Sequence, residues 1–313
     1  MKISLIILII VGVLLFILLS YFIYSIFIFN YLFKRKEEKP LLSVDLKKTK
    51  YAPYIAKIKK YNNEFKDLAF IDVEIKSFDN LNLKAKYLNN NSDLTIIMVH
   101  GYRATPDNNF AIPAVHLNND LKCNLLIIYQ RAHGLSEGNY VTFGYNERND
   151  IISWIKYIND NYNPKNIILY GVSMGAGTIL LSSSLIKDDN VKGLIVDCGY
   201  DNIKDAIKTS LKLRTKFTPR LLLLNLMILA KFKHFSLNKY KPCEEVKNNK
   251  INTLFIHGNN DKLVPITMGK NNYNNCNSNK EFYETSSYHA MSIYTDTESV
   301  IKKEEEFINK CIK

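Results

Sequence analysis

The chain has 313 residues, of which 47% are hydrophobic and 23% charged, a balance that supplies a buried core and excludes a disordered protein. The formal net charge of +12 is best explained by a solvated lysine-rich surface, with anionic lipid headgroups as the second explanation, and no nucleic-acid-binding pattern accompanies it. Five scattered cysteines without a C-x-x-C pair predict neither a disulfide framework nor a metal site, and we expect no cofactor.

The amino-terminal segment from Ile3 to Phe33 is apolar almost without interruption. It exceeds the roughly 20 residues that a helix needs to cross a bilayer, and also the roughly 7–15 residues of a signal-peptide core. We therefore predict a single-pass transmembrane anchor over residues 1–33, with a cleaved signal peptide as the alternative. The basic cluster 34–36 favours a cytoplasmic location for the rest of the chain, although a short amino terminus with one lysine is also typical of anchors that export the domain behind them.

Residues 34–66 come after the apolar segment and combine a charged stretch with helical spacing of apolar residues over 51–66. We assign them to a juxtamembrane linker and helix. Alternating patterns in 70–78 and 81–88 then predict a hairpin of two antiparallel strands.

Short apolar runs in the remaining sequence indicate strands that are covered on both faces. They lie at 94–99, 124–129, 166–170, 193–196, 253–256 and 281–285, with helical patterns between most of them. Strands that alternate with helices predict an α/β fold over residues 67–313, with a mostly parallel central sheet and helices on both faces. Such sheets collect functional groups at the carboxyl ends of their strands.

A G-x-S-x-G motif, Gly171-Val172-Ser173-Met174-Gly175, directly follows the strand predicted at 166–170, and residues 176–185 after it have a helical pattern. The glycines permit a sharp turn that projects the serine hydroxyl above the sheet at a helix amino terminus. The motif alone often occurs by chance, but this strand, turn and helix context is typical of a nucleophile. We therefore predict Ser173 as the nucleophile.

The carboxyl-terminal region supplies the partners that a serine nucleophile needs. A serine hydroxyl requires a neighbouring imidazole to accept its proton, and His289 follows the last predicted strand. Asp261 follows the strand at 253–256, which gives the chain order Ser, Asp, His and an acid to orient the imidazole. Asp197, after the strand at 193–196, is the alternative acid.

A developing oxyanion needs preorganised N–H donors. We predict that one is the backbone N–H of Met174 and the other that of Tyr102, in the loop after the strand at 94–99. In that loop Gly101 allows a close approach of the backbone, and we expect His100 to hold the loop by a hydrogen bond.

These motifs resemble the bacterial α/β-hydrolases with an amino-terminal anchor, a group of esterase-like and lysophospholipase-like proteins. The shared segments are His100-Gly101, 130–138, the turn at 171–175, 196–198, 257–261 and 289–292. The resemblance covers nearly the whole chain beyond the linker and implies the α/β-hydrolase fold and ester hydrolysis in general, without fixing a substrate. One departure is Gln130, where the family usually has an aspartate, and we expect it to affect loop geometry more than catalysis.

Residues 208–240 stand where the family carries a helical cap over the active site. The segment contains the apolar run 221–230, flanked by the basic residues Arg214, Lys216, Arg220, Lys231 and Lys233. It is too short to span a bilayer, so it either covers the pocket or lies in the membrane interface. Both alternatives are open from the sequence.

The sequence as a whole predicts a serine hydrolase that cleaves lipid-like or other apolar esters through an acyl-enzyme intermediate. A peptidase or amidase with the same triad is the enzymatic alternative. A non-catalytic, membrane-tethered binding protein is the third interpretation, and the intact Ser173, Asp261 and His289 argue against it. We expect a small-molecule or lipid ester as substrate, leave the oligomeric state open, and expect a protein without residues 1–33 to fold and hydrolyse short soluble esters.

Overall fold

A computed structural model describes residues 2–215 and 220–313, and eight strands in it form one sheet in the order β1-β2-β4-β3-β5-β6-β7-β8. The strands are β1 Ile71–Lys76, β2 Asn82–Leu88, β3 Leu94–Val99, β4 Asn124–Ile128, β5 Asn166–Val172, β6 Val191–Asp197, β7 Asn252–Gly258 and β8 Lys280–Thr285. Strand β2 pairs antiparallel with β1 and β4, and every other pairing in this sheet is parallel. The predicted hairpin and the mostly parallel sheet are confirmed.

Helices cover both faces of the sheet, as the alternation of patterns predicted. They are α1 Lys2–Phe33, α2 Ile55–Lys66, α3 Pro106–His116, α4 Glu147–Tyr162, α5 Met174–Ser182, α6 Ile203–Thr215, α7 Arg220–Phe232, α8 Pro242–Glu245, α9 Ile266–Asn275, α10 Ser292–Thr295 and α11 Thr297–Ile312. One face packs against α2, α3 and α11, and the other against α4 and α5. The continuously apolar strands are buried because helices lie on both sides of them, and β3 has no exposed residue.

The segment 34–66 is packed against this sheet domain rather than free as a linker. The Arg35 guanidinium donates to the backbone carbonyls of Gly134 and Ser136, and the Glu38 carboxylate accepts from the N–H of Gly134. Helix α2 lies against α3 and buries Ile58 in the core on that face. The polar residues of the predicted linker therefore hold the chain against the domain.

Helix α1 has two parts with different surroundings. Residues 3–20 are exposed on every side, whereas Phe29, Leu32 and Phe33 are buried in a cluster with α6, α7 and Phe235. The helix is long and apolar enough to cross a membrane, a property that it shares with signal sequences. Contacts with the rest of the protein thus extend across part of the predicted anchor 1–33.

Helices α6 and α7 occupy most of the segment predicted as a cap, and α6 begins before the predicted boundary at 208. On α7, Leu222, Leu226 and Ala230 are buried against α1 and α6, because the apolar residues recur at helical spacing. Of the basic residues in the predicted flank, Lys216 and the side chain of Arg214 lie outside the described part of the chain.

Candidate active site

Ser173 lies in a sharp turn between β5 and α5, with φ 55° and ψ −111°. A non-glycine residue with positive φ is strained, and such strain persists only where the surrounding structure fixes it. The flanking glycines are required by close packing: a Cβ on Gly171 would lie 2.6 Å from the backbone nitrogen of Ala176, and one on Gly175 would lie 1.8 Å from the carbonyl oxygen of Val99. The turn therefore projects Ser173 from the carboxyl end of β5.

The structure brings Ser173, His289 and Asp261 into one hydrogen-bonded row. Ser173 Oγ lies 2.7 Å from His289 Nε2, and His289 Nδ1 lies 2.6 Å from an oxygen of Asp261. A proton on Nδ1 that is donated to the carboxylate leaves Nε2 free to accept the serine proton. The loops after β7 and β8 thus place the two predicted partners beside the predicted nucleophile.

Asp261 is buried, and its hydrogen bonds keep it ionised. Its second oxygen accepts the backbone N–H groups of Leu263 and Val264, both at 2.9 Å. Burial by itself raises the pKa of the carboxyl, but hydrogen bonds from His257 and His289 hold the pKa at about 2. An ionised carboxylate at neutral pH is the form that can orient an imidazole and stabilise its cation.

Asp197, the alternative acid, lies in a different environment. Its carboxylate accepts a hydrogen bond from the Ser292 hydroxyl at 3.3 Å, and burial raises its pKa to about 6. Its neighbour Cys198 is also buried, and burial raises the pKa of the thiol well above its ordinary value. The Cys198 thiol lies within 4.8 Å of ligand atoms of Asp261 and His289. The thiolate is the reactive form of cysteine, and burial disfavours it here.

The loop after β3 approaches the nucleophile closely. A Cβ on Gly101 would lie 3.4 Å from the Ser173 Cβ and 3.3 Å from Asn109 Oδ1, so the loop passes within close contact of the nucleophile. On either side of Tyr102, the Gly101 N–H donates to Asn109 and the Arg103 N–H donates to His133. These bonds fix the loop that carries the predicted oxyanion donor, and Tyr102 and Met174 both line the cavity that contains Ser173.

Solved structures resemble this chain in their fold. The esterase Pf2001 of Pyrococcus furiosus matches with a TM-score of 0.67 at 22% identity, over 90% of this chain and 100% of that chain. Est1E of Butyrivibrio proteoclasticus, solved with ferulic acid, matches with a TM-score of 0.61 at 18% identity, over 77% of this chain and 99% of that chain. Mouse alpha/beta hydrolase domain-containing protein 10 matches with a TM-score of 0.58, also at 18% identity, over 77% of this chain and 99% of that chain. The chain has the α/β-hydrolase fold.

A curated relative of the chain is the uncharacterized protein YqkD of Bacillus subtilis (strain 168). It is 26% identical over 218 residues, which are 69% of this chain and 71% of that protein. No family model matches the chain. Because a fold does not imply a function, the function of this α/β-hydrolase fold is argued from the residues of its site.

Gln130 stands where the resembled family usually has an aspartate, and its side chain connects the loop after β3 to helix α5. Its amide donates to the carbonyl of His100 and accepts from the Thr178 hydroxyl. His100 in turn accepts the Gln130 N–H through Nε2, and burial lowers its pKa to about 4, so it is neutral. The expectation that His100 holds the loop by hydrogen bonding is confirmed.

The cavity above Ser173 has a volume of about 120 Å³. Its lining contains no lysine, arginine, aspartate or glutamate among the described residues and consists of Tyr31, Leu32, Tyr102, Phe143, Ser173, Met174, Tyr200, Ile203, Ala206, Ile207, Ser210, Leu263, Val264 and His289. Sequence reasoning missed several of these. Ile203, Ala206, Ile207 and Ser210 have helical spacing that indicates one face of α6, whereas Leu32 belongs to a uniformly apolar run that gives no local signal.

Proposed function

We propose that the protein is a membrane-anchored serine hydrolase that cleaves apolar carboxylic esters. The observation that carries the proposal is the row Ser173, His289 and Asp261 at the base of an apolar cavity. A row with these hydrogen bonds activates a serine hydroxyl at neutral pH. A binding protein has no need of a strained serine in contact with an oriented imidazole, so a non-catalytic role is disfavoured.

The proposed reaction has two steps, acylation of Ser173 and hydrolysis of the acyl-enzyme. Ser173 Oγ attacks the ester carbonyl carbon as His289 Nε2 takes its proton, and the N–H groups of Met174 and Tyr102 stabilise the oxyanion. His289 then protonates the departing alkoxide, which leaves an acyl group on Ser173. Water, deprotonated by His289, attacks this acyl group and releases the carboxylic acid and the free serine. Asp261 stabilises the imidazolium in both steps.

The lining of the cavity favours an ester with an apolar acyl group over a peptide. Among the described residues, the lining of the cavity offers no charged side chain to select a charged residue or a peptide terminus. Its volume of about 120 Å³ is below the roughly 300–1,000 Å³ of sites that enclose a drug-sized ligand. It therefore fits an acyl chain, while the remainder of a larger substrate stays outside.

Anchoring through α1 is supported by the packing of its carboxyl-terminal part. Cleavage of the helix as a signal would remove Phe29, Leu32 and Phe33 from the core or leave them on a short unsupported segment. The basic cluster 34–36 favours a cytoplasmic catalytic domain by the positive-inside rule. The helix and the hydrolase domain are in this proposal one membrane-bound unit.

The proposal is tested on purified full-length protein in detergent. We expect covalent labelling by a fluorophosphonate and faster hydrolysis of neutral acyl esters than of matched aminoacyl amides. Labelling with rapid amide hydrolysis would favour the peptidase alternative. Absence of labelling and of hydrolysis would contradict a serine hydrolase of either kind.

A further inference from the structure

The exposed part of α1 has the length of a bilayer core. Residues 3–20 are exposed on all sides, and a helix of that length rises about 27 Å, close to the roughly 30 Å of hydrocarbon in a typical bilayer. Packing against the protein begins beyond this part, with Ser25 fully buried. If α1 spans the membrane, the surface of the bilayer therefore lies near Tyr21.

Helix α7 runs beside the packed part of α1 in the same direction. The Asn225 amide donates to the Ser25 hydroxyl at 2.9 Å, and farther along both segments Phe29 and Phe33 contact Phe235. A buried polar bond between otherwise apolar helices fixes their relative position. The beginning of α7 is consequently at the level of Tyr21, where the exposed part of α1 ends.

The outer face of α7 is apolar and exposed. Leu221, Leu224, Ile228 and Phe232 recur at helical spacing on this face, and Phe232 is 71% exposed. Because α7 runs in the same direction as α1, this stripe leads away from the bilayer, and its first members, Leu221 and Leu224, lie nearest to the proposed membrane surface. Arg220, at the same end of α7, suits anionic headgroups.

The cavity leads from the triad along α6. Ile203, Ala206, Ile207 and Ser210 line it over successive turns of that helix, and Leu32 of α1 lines it as well. Because α6 ends at Thr215 and α7 begins at Arg220, the distal end of α6 lies close to the start of α7. The lined face of α6 therefore extends from Ser173 in the direction of the proposed membrane surface.

We propose that the partner of the α6–α7 cap is a lipid bilayer, and that the substrate is an amphiphilic ester whose acyl chain reaches Ser173 from the bilayer between α1 and α6. Leu32, in the membrane anchor itself, is then a specificity-determining residue of the acyl pocket. Its carbonyl accepts the Tyr102 hydroxyl at 2.6 Å, so the anchor is also tied to the loop of the predicted oxyanion donor. This inference rests on the proposed ester hydrolysis.

Membrane contact is tested with full-length protein in vesicles of zwitterionic and anionic lipid that carry brominated acyl chains, which quench tryptophan. The chain has one tryptophan, the buried Trp154, which gives a constant background. Leu224→Trp is compared with Ile71→Trp, because these leucine and isoleucine side chains are 52% and 53% exposed and Ile71 lies on the edge strand β1. We expect bromine to quench the added fluorescence of Leu224→Trp and not that of Ile71→Trp. Equal responses would show that another occupant, such as a second copy of the chain, covers α7, and would overturn the proposal.

The role of Leu32 is tested by acyl-chain selectivity. Leu32→Phe narrows the pocket and Leu32→Ala widens it, so the ratio of kcat/KM for decanoyl over acetyl esters is expected to fall by about tenfold in the first and to rise in the second. Leu18→Phe, on the exposed part of the same helix, is the control and is expected to keep the wild-type ratio. A ratio that is unchanged in both Leu32 variants, in protein that fluorophosphonate still labels, would overturn this inference alone. Wild-type protein that is neither labelled nor active would instead refute the proposed hydrolase.

Discussion

The two sides of the active site are built by different interactions. On one side, Ser173, His289 and Asp261 lie at strand ends and are joined by hydrogen bonds of 2.6–2.7 Å on a strained turn. On the other side, Leu32 and Ile207 belong to helices that meet through apolar contacts. The rate of a reaction falls steeply when reacting atoms are displaced by a small distance, whereas the free energy of apolar packing changes in proportion to the area buried. Substitutions of Ser173, His289 or Asp261 should therefore abolish hydrolysis. Substitutions on the helical side should change acyl-chain selectivity and stability gradually.

The largest effect is expected for Ser173→Ala. Removal of the hydroxyl leaves no atom to form the acyl-enzyme, so hydrolysis and fluorophosphonate labelling should both be lost. The melting temperature should remain near that of the wild type, because the hydroxyl projects from the turn and does not pack in the core. Persistent labelling of the variant would assign the nucleophile to another residue.

The next effect concerns the acid. Asp261→Asn should lower kcat roughly 10⁴-fold, because an asparagine favours the wrong tautomer of the imidazole and cannot stabilise its cation. Asp197→Asn is the matched control, since Asp197 is also buried near the site but bonds to Ser292. Steady-state kinetics on a short soluble ester checks the pair. A larger loss in Asp197→Asn would reverse the assignment of the acid.

Two amino-terminal truncations test what each part of α1 contributes to membrane attachment, stability and activity. Deletion of residues 2–20 removes the exposed part of α1 and should yield a folded protein that is active on short soluble esters. Its remaining attachment to anionic vesicles, through α7, should be released by salt. Deletion of 2–33 also removes Phe29, Leu32 and Phe33, each of which contributes about 1.5–3 kcal/mol of burial. We expect it to lower kcat/KM at least about tenfold or to prevent folding. This revises the sequence-based expectation that residues 1–33 are dispensable for the catalytic domain.

Equal activity and melting temperature in the two truncated proteins would contradict this division of α1. The Tyr102 hydroxyl bonds to the Leu32 carbonyl and the Arg103 guanidinium to the Tyr31 carbonyl, so the longer deletion also frees the loop of the predicted oxyanion donor. A selective fall in kcat, with KM for acetyl esters little changed, would locate the defect in that loop.

The smallest expected effect is on stability and concerns the buried pair of Tyr170 and Glu304. The Tyr170 hydroxyl, on β5, donates to the buried Glu304 carboxyl at 2.6 Å, and burial raises the pKa of Glu304 to about 8. A folded-state pKa above the unfolded one favours the folded protein at low pH, and this contribution is lost as pH rises from about 4.5 through about 8. Glu304→Gln should remove that part of the pH dependence.

We therefore expect the melting temperature of Glu304→Gln, relative to the wild type, to rise by several degrees between pH 5 and pH 9. Glu306→Gln, which replaces an exposed glutamate on the same helix, should keep a constant difference from the wild type. Parallel curves for wild type and Glu304→Gln would show that Glu304 ionises normally in the folded protein.

The sequence by itself indicated the sheet and the three residues of the hydrogen-bonded row, because these depend on local patterns. Period-two and continuously apolar runs identify strands to within a few residues, and G-x-S-x-G between a strand and a helix identifies the turn that carries Ser173. Chain order then pointed to Asp261 and His289. Helix α6 begins at Ile203, a few residues before the segment 208–240 that the sequence predicts as a cap.

Tertiary structure alone decided the contacts between distant segments. It placed Asp261 rather than Asp197 against His289, although Asp197 ends β6, Asp261 follows the neighbouring parallel strand β7, and the sequence leaves either within reach. It also packed the charged segment 34–66 on the domain and set Leu32 in the wall of the pocket. A leucine side chain in a uniformly apolar helix packs equally well against lipid and against protein. The local sequence therefore does not indicate which of the two it contacts. The contacts of Ser25 with Asn225 and of Phe29 and Phe33 with Phe235 distinguish the part of α1 that faces protein from the part that remains exposed.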